Sequence, residues 1–137
     1  MSDVLTREQR RRNMQAIKGT DTQPEMIVRS IVHRLGYRFR LHHRDLPGKP
    51  DIVLPRLRRI ILVHGCFWHQ HAKCRYATRP ATRPEFWAAK LDGNRDRDRR
   101  VHRLLRSLGW EVLIVWECQT RESEVLKKRI EAFLSQS

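Results

Sequence analysis

The stretch RRIILVHG, residues 58–65, decides the fold of this chain. Its four consecutive apolar residues are followed by a histidine and a glycine, a pattern that predicts a central β-strand buried on both faces. The strand runs directly into CFWHQHAKC, residues 66–74, where cysteines, histidines and large aromatic residues are crowded together. Cysteine and histidine hold transition metals, so the sequence predicts a metal site at the end of this strand.

Three further segments are predicted as strands of the same sheet. YRFRL (37–41) alternates apolar and polar residues like a half-buried strand, whereas DIVL (51–54) and WEVLIVWE (110–117) are short, mainly apolar runs. With helices between them, these strands predict an α/β fold in which helices flank a mixed central sheet. The length favours a single domain over residues 1–137.

Helical patterns separate the strands. One helix begins after the cap residue Thr22 and ends at Gly36, and a closing amphipathic helix covers residues 123–134. The segments RPEFWAAKL and NRDRDRRVHRLLRSLG are helical too, as one helix or as two that meet at Gly93. The predicted core stripe of this long pattern consists of Val101, Leu104, Leu105 and Leu108.

The charge of the chain points to a polyanionic partner. Twenty-nine lysines and arginines oppose 15 acidic residues, which gives a formal net charge of +14. Nucleic acid is the first choice and an anionic membrane surface the second. No apolar stretch is long enough to span a membrane and the first residues lack a signal-peptide core, so we expect a cytoplasmic protein.

The cysteines favour a metal site over disulfides. An odd number of cysteines in a reducing compartment makes a poor disulfide framework. Three of the predicted ligands have the spacing C-x4-H-x2-C, and a third cysteine follows the strand VLIVWE. A Cys3His set is typical of a closed structural zinc site, although buried reduced cysteines are the simpler alternative. The predicted zinc ligands are Cys66, His71, Cys74 and Cys118.

Four further polar residues could do chemistry. Asp51 begins a strand beside the strand that ends at His64, an arrangement that suits Mg²⁺, although a turn or cap role is the more common one for a lone aspartate. Asp98 falls on the apolar face of its helix, where a carboxylate needs a partner such as a histidine or a neighbouring arginine. Glu25 reads as a capping-box residue or as a second acid near the metal.

Two aromatic pairs, Phe67-Trp68 and Phe86-Trp87, flank this region. The loop that holds the first pair is short and polar, so we expect at least one of its two rings to be exposed. Exposed aromatic residues on a basic protein suit stacking on bases or wedging between base pairs.

Taken together, these residues resemble the very-short-patch repair (Vsr) DNA mismatch endonucleases. The resemblance covers nearly the whole chain, through NMQAIKGTDTQPE, LPGKPDIVLP, HGCFWHQH, ATRPEFWAAKLDGNRDRDRR and LGWEVLIVWEC. It implies a variant of the PD-(D/E)xK restriction-endonuclease fold with an added structural zinc. It further implies a monomer that nicks one strand of double-stranded DNA 5′ to the thymine of a T:G mismatch, alongside other mismatch-repair proteins. The resemblance also implies a prokaryotic protein that is associated with the nucleoid.

The resemblance also implies roles for the polar residues. Mg²⁺, as two ions, would be held by Asp51 and the main-chain carbonyl of Val63, and Glu25 would contact metal-bound water. His69 would be the general base or position the water, with His64 as the alternative base, and His64 would form a hydrogen-bonded pair with Asp98. The rivals are a restriction-like or homing endonuclease for intact duplex and a non-catalytic zinc-stabilised DNA-binding module.

The family's intercalating residues have counterparts in this chain as well. They come from the metal loop, from the start of the long helix and from a polar helical arm at residues 1–20, which would meet the DNA from the other groove. The implied wedge residues are Phe67, Trp68, Trp87, Met14 and Ile17.

Overall fold

The computed structural model describes residues 22–136, which contain a four-stranded mixed sheet in the order β1–β2–β3–β4. β1 (Arg40–Leu41) pairs antiparallel with β2 (Ile52–Leu54). β2 in turn pairs antiparallel with β3 (Arg59–His64). β4 (Glu111–Trp116) pairs parallel with β3 along its whole length. Parallel neighbours require a long crossover, and a helix provides it here. The predicted mixed sheet is therefore confirmed.

Within residues 22–136, three helices surround the sheet: α1 (Gln23–Arg34), α2 (Pro84–Ser107) and α3 (Ser123–Leu134). A 3-10 turn, Glu117–Arg121, joins β4 to α3. α2 is one continuous helix that passes through Gly93, so the alternative of two shorter helices is wrong. Within the described part of the chain, no helix is long and apolar enough to cross a membrane. The predicted arm, with Met14 and Ile17, lies outside the described residues.

Helices cover both faces of the sheet. On one face α1 and α3 pack against β2 and β3, and on the other face Leu105 of α2 packs against the same strands. β3 supplies both faces, because the side chains of Ile60 and Ile61 point in opposite directions and both are fully buried. This is the environment expected of the run IILV, and it makes β3 the central element of the fold.

Two local expectations were wrong. The pairing of YRFRL is limited to Arg40 and Leu41, although Tyr37 and Phe39 still pack on the core. In α2, Leu104 and Leu108 are 52% and 50% exposed. The face turned to the sheet runs through Leu91, Val101 and Leu105, so the other two leucines lie to one side of it.

Gly48 lies in the loop before β2 and packs against Val101 of α2. A methyl group at this position should destabilise the protein. Its φ is +74°, and a Cβ would lie 2.6 Å from Cγ1 of Val101. Because both the backbone strain and the overlap oppose a side chain, we expect Gly48→Ala to lower the free energy of unfolding by about 1–3 kcal/mol in urea denaturation. Gly93→Ala is the matched control, since a Cβ there has no neighbour within 4 Å and alanine favours a helix by about 0.5–1 kcal/mol. Equal stability of the two variants would contradict this account.

Candidate active site and metal centre

The polar site forms where β2 begins and β3 ends. Because these strands are antiparallel, Asp51, directly before β2, lies beside the last residues of β3. The Val63 backbone N–H donates a hydrogen bond of 2.8 Å to Oδ2 of Asp51. The N–H and C=O of one residue point to the same side of a strand, so the Val63 carbonyl faces the Asp51 side as well.

Glu25 and His42 complete a group around Asp51. One ligand atom from each of the three side chains lies within 4.8 Å of the other two, so the group could hold a metal ion. Oε2 of Glu25 lies 2.9 Å from Nε2 of His42 and also contacts the guanidinium of Arg29. Thr22 caps the helix on the Glu25 backbone N–H, while the Glu25 carboxylate, almost wholly buried, is turned towards Asp51 and His42. Glu25 therefore belongs to the polar site.

The Asp51 carboxyl is strongly perturbed. Burial raises its pKa to about 6, and the nearby Glu25 carboxylate acts in the same direction. The hydrogen bond from the Val63 amide and the proximity of His42 oppose the rise. A carboxyl held beside a second acid in a partly dehydrated site gains from a bound cation, which would neutralise both negative charges.

Asp98 pairs with His69. Its Oδ2 lies 2.7 Å from Nδ1 of His69, and both side chains are partly accessible to solvent. The family resemblance implied a hydrogen-bonded pair of Asp98 with His64 instead, and that pairing is wrong: Nδ1 of His64 is buried and has no hydrogen-bond partner among the described residues. The loop after β3 turns back so that His69, five residues later, stacks on His64 at 3.9 Å, and His69 is the more exposed of the two. Asp98 thus binds the more exposed of the two imidazoles.

His64 sits inside a stack of three imidazole rings. Its other neighbour is His102, one turn after Asp98 on α2, with ring centroids 5.6 Å apart. Burial, reinforced by these two rings, lowers the pKa of His64 to about 3, so it is neutral at physiological pH. His102 was not predicted, although its position four residues after Asp98 puts both on the same helix face.

The second cluster consists of sulfur and nitrogen donors. Nδ1 of His71 lies 3.7 Å from Sγ of Cys66 and 3.5 Å from Sγ of Cys118. Ligands of a tetrahedral ion with bonds of about 2.3 Å to sulfur and 2.05 Å to nitrogen lie about 3.6 Å apart. Cys74 completes the group, whose four ligand atoms are all within 4.8 Å of one another. These four residues, predicted from spacing, therefore form one group that can hold a metal ion.

Burial acts in opposite directions on the pKa values of the cysteine and histidine donors of this cluster. Burial raises the pKa of the Cys66 thiol to about 12, and burial lowers the pKa of His71, which favours the neutral, metal-binding imidazole. Burial also acts to raise the pKa of Cys74, but hydrogen bonds from the backbone N–H of Tyr76 and from the other thiols lower it overall. A bound cation would hold all three sulfurs as thiolates.

Backbone hydrogen bonds fold the loop around this cluster. The N–H of His71 donates to the carbonyl of Cys66 at 3.0 Å, which brings these two donor residues together. Gln70 is buried, and its side-chain amide donates to the Phe67 carbonyl at 2.8 Å. From α2, the side-chain amide of Asn94 donates to the Trp68 carbonyl at 3.0 Å. Asn94 was not predicted, and only the tertiary contact reveals it.

The aromatic residues form one cluster between the loop and the start of α2. Phe67 lies 4.9 Å from Trp68 and 5.6 Å from Trp87, measured between ring centroids. Both Phe67 and Trp68 are half-buried, so the expectation of an exposed ring in this pair was wrong. Trp87, contributed by α2, shields them, and Phe86 is instead the exposed member, at 45%.

Comparison with known proteins identifies the family. The family model described as DNA mismatch endonuclease Vsr matches residues 2–75, more than half of the chain. The chain is 43% identical to the DNA mismatch endonuclease Vsr of Escherichia coli (strain K12), over 98% of this chain and 88% of that protein. The chain belongs to the Vsr family. It is therefore an enzyme of the DNA mismatch endonuclease class, and its partner is DNA.

Other relatives of this Vsr-family chain carry the name of nicking enzymes. A type II nicking enzyme of Xanthomonas oryzae pv. oryzae is 45% identical over the full length of both chains. One from Neisseria meningitidis is 33% identical over 95% of this chain and 92% of its own length. These names support endonuclease activity in a family that acts on DNA at mismatches.

Proposed function

We propose that this protein is a divalent-metal-dependent endonuclease that nicks one DNA strand 5′ to the thymine of a T:G mismatch. The observation that carries the proposal is the meeting of three groups at one edge of the sheet. The Asp51 group and the His69–Asp98 pair flank the end of β3, and the aromatic cluster lies on the loop that follows. A wedge and a hydrolytic site are thus parts of one short segment. This arrangement favours cleavage beside an opened base step.

His69 is the proposed general base. If its Nδ1–H donates to Asp98, its Nε2 keeps a lone pair that can accept the proton of an attacking water. The carboxylate holds the ring in that tautomer and stabilises the imidazolium that forms. His64, kept neutral by burial, supports the ring of His69 by stacking on it. The choice that the sequence left open between the two histidines therefore falls on His69.

The metal at the polar site would be held by Asp51 and the Val63 carbonyl, with Glu25 on metal-bound water. When bound, such an ion stabilises the charge that develops on the attacking and leaving oxygens of the phosphodiester. The acid at the start of one strand beside the end of its neighbour also supports our proposal that the fold is a PD-(D/E)xK variant. The chain's own contribution is to bury Asp51, orient it through the Val63 amide and keep Glu25 nearby.

The Cys3His cluster is proposed to bind zinc as a structural ion. Its donor set fills a tetrahedral shell and leaves no open position for a substrate, and its donor spacing fits zinc bond lengths. The loop it closes carries Phe67, Trp68 and His69. Opening a base step costs a few kcal/mol, so a rigid loop keeps the wedge effective, since a flexible one would lose part of that energy to ordering.

A comparison of nicking between a mismatched and a fully paired duplex tests this proposal. The protein is incubated with Mg²⁺ and with two end-labelled duplexes that differ only in one T:G or C:G pair. We expect one nick, in the thymine strand only, with the T:G duplex. Equal cleavage of both duplexes would instead indicate a restriction-like enzyme, and binding without cleavage would indicate a DNA-binding module.

Trp68→Ala should reduce the preference for mismatched DNA. Base–aromatic contacts contribute about 1–3 kcal/mol each, so we expect a loss of roughly 5- to 150-fold in affinity for the T:G duplex. The affinity for matched duplex should barely change, because phosphate contacts dominate it. Both affinities are measured by competition binding at one salt concentration.

The matched control for this variant is Trp110→Phe, since Trp110 packs on the α2 side of the sheet and not in the aromatic cluster. It should keep the wild-type ratio of affinities. Full mismatch preference in Trp68→Ala, together with loss of stability, would show that Trp68 only packs.

A further inference from the structure

The backbone holds His42 beside Asp51. Its backbone N–H donates a hydrogen bond of 3.1 Å to the Asp51 carbonyl, so the residue after β1 is bonded to the residue before β2. Its φ is +47°, in the left-handed region that non-glycine residues rarely adopt. Strained backbone persists where the surrounding structure holds it, and such positions cluster at functional sites. The sequence had suggested no role for this histidine.

The donor atoms around His42 have the spacing of ligands around one ion. For octahedral bonds of about 2.1 Å, adjacent ligands lie about 3.0 Å apart and opposite ligands about 4.2 Å apart. Nε2 of His42 lies 2.9 Å from Oε2 of Glu25, and one ligand atom from each of His42, Glu25 and Asp51 lies within 4.8 Å of the other two. The three donors therefore converge closely enough to share one ion.

We propose that His42 is a nitrogen ligand of the ion at this group, and that the site accordingly prefers a first-row transition metal such as Mn²⁺ to Mg²⁺. The inference rests on the proposed function only in taking the Asp51 group as a metal site, and it adds a ligand and a metal class. Mg²⁺ is bound almost entirely by oxygen, whereas imidazole suits transition ions.

A cation is already favoured at this position. Nη2 of Arg29 contacts Oε2 of Glu25 and lies 3.4 Å from Nε2 of His42. The guanidinium thus acts as counter-ion to the buried carboxylate, and a metal ion with Asp51 as an additional ligand takes over that role. The Arg29 side chain is only 13% exposed, so binding of a metal ion by Glu25 requires the guanidinium to move away from that carboxylate.

Electron paramagnetic resonance of bound Mn²⁺ tests the proposal without reference to activity. The full-length, zinc-loaded protein is titrated with Mn²⁺, and the electron-spin-echo spectrum is examined for modulation from a coordinated nitrogen. We expect that modulation in the wild type and its loss in His42→Asn, with Mn²⁺ affinity falling about 10- to 100-fold relative to Mg²⁺ affinity. Asparagine is chosen because it tolerates a positive φ.

Two further variants secure the result. His42→Gln should behave like His42→Asn, and His33→Gln, an exposed histidine on α1, should leave the spectrum and affinities unchanged. Nitrogen modulation that survives in both His42 variants, or its absence in the wild type, would overturn the proposal even if T:G duplexes are nicked. Conversely, nitrogen coupling that depends on His42 in a protein that does not nick would leave this inference standing and refute the proposed function.

Discussion

Asp51→Asn is expected to abolish nicking of a T:G duplex while DNA binding stays unchanged. Asparagine has the size of aspartate and can still accept the hydrogen bond from the Val63 amide, so the fold should be preserved. What it loses is the negative charge that holds a divalent ion. Since metal stabilisation of a phosphoryl transition state is worth several kcal/mol, the single-turnover rate should fall by about 10³-fold or more. Binding should persist because removing an anion near phosphates does not weaken their attraction to a basic protein.

Asp96→Asn is the matched control for this experiment. Asp96 lies on the exposed surface of α2, where it pairs with Arg99 at 3.3 Å and contacts no part of the site. Its replacement should change neither the rate nor the affinity. Nicking by Asp51→Asn at more than a tenth of the wild-type rate would remove Asp51 from the metal site.

Cys118→Ser is expected to release the zinc and to destabilise the whole protein. Serine keeps the shape of cysteine but is a poor zinc ligand, and the other three donors then lack a partner that comes from a distant part of the chain. Cys118 follows β4, whereas the other three donors lie in a loop about 50 residues earlier in the chain. Loss of Cys118 therefore removes the link that the metal ion makes between these two segments. We expect about 3–5 kcal/mol lower stability in urea denaturation, a large part of the roughly 5–15 kcal/mol of a typical domain. Zinc content is measured by mass spectrometry of the purified variant.

The same loop offers a control for the zinc prediction. His69→Asn removes an imidazole two residues before His71, yet His69 belongs to the proposed catalytic pair with Asp98 and not to the cysteine cluster. It should retain a full equivalent of zinc and near-wild-type stability while losing nicking. If Cys118→Ser keeps its zinc, or if His69→Asn loses it, the division of this loop into a structural and a catalytic part is wrong.

The sequence by itself determined the central strand, the helices and the Cys3His set. These features depend on local patterns: the apolar run of residues 60–63 can be satisfied only by burial on both faces, and α1 and α3 follow from caps and helical periodicity. The cysteines could be assigned together because few residue types bind transition metals and each is rare. Family membership followed from the order of whole motifs, which no single local pattern could imitate.

The tertiary structure decided which polar groups meet. Asp98 pairs with His69 and not with His64, because the turn after β3 stacks one imidazole over the other. His42 joins Glu25 and Asp51 because the end of β1 lies against the start of β2, and Phe67 and Trp68 are half-buried because α2 places Trp87 against them. Periodicity tells which face of an element a side chain occupies, but a partner depends on how strand ends and helix rotations bring distant segments together. That information is absent from any one stretch of the chain and arises only when the core packs.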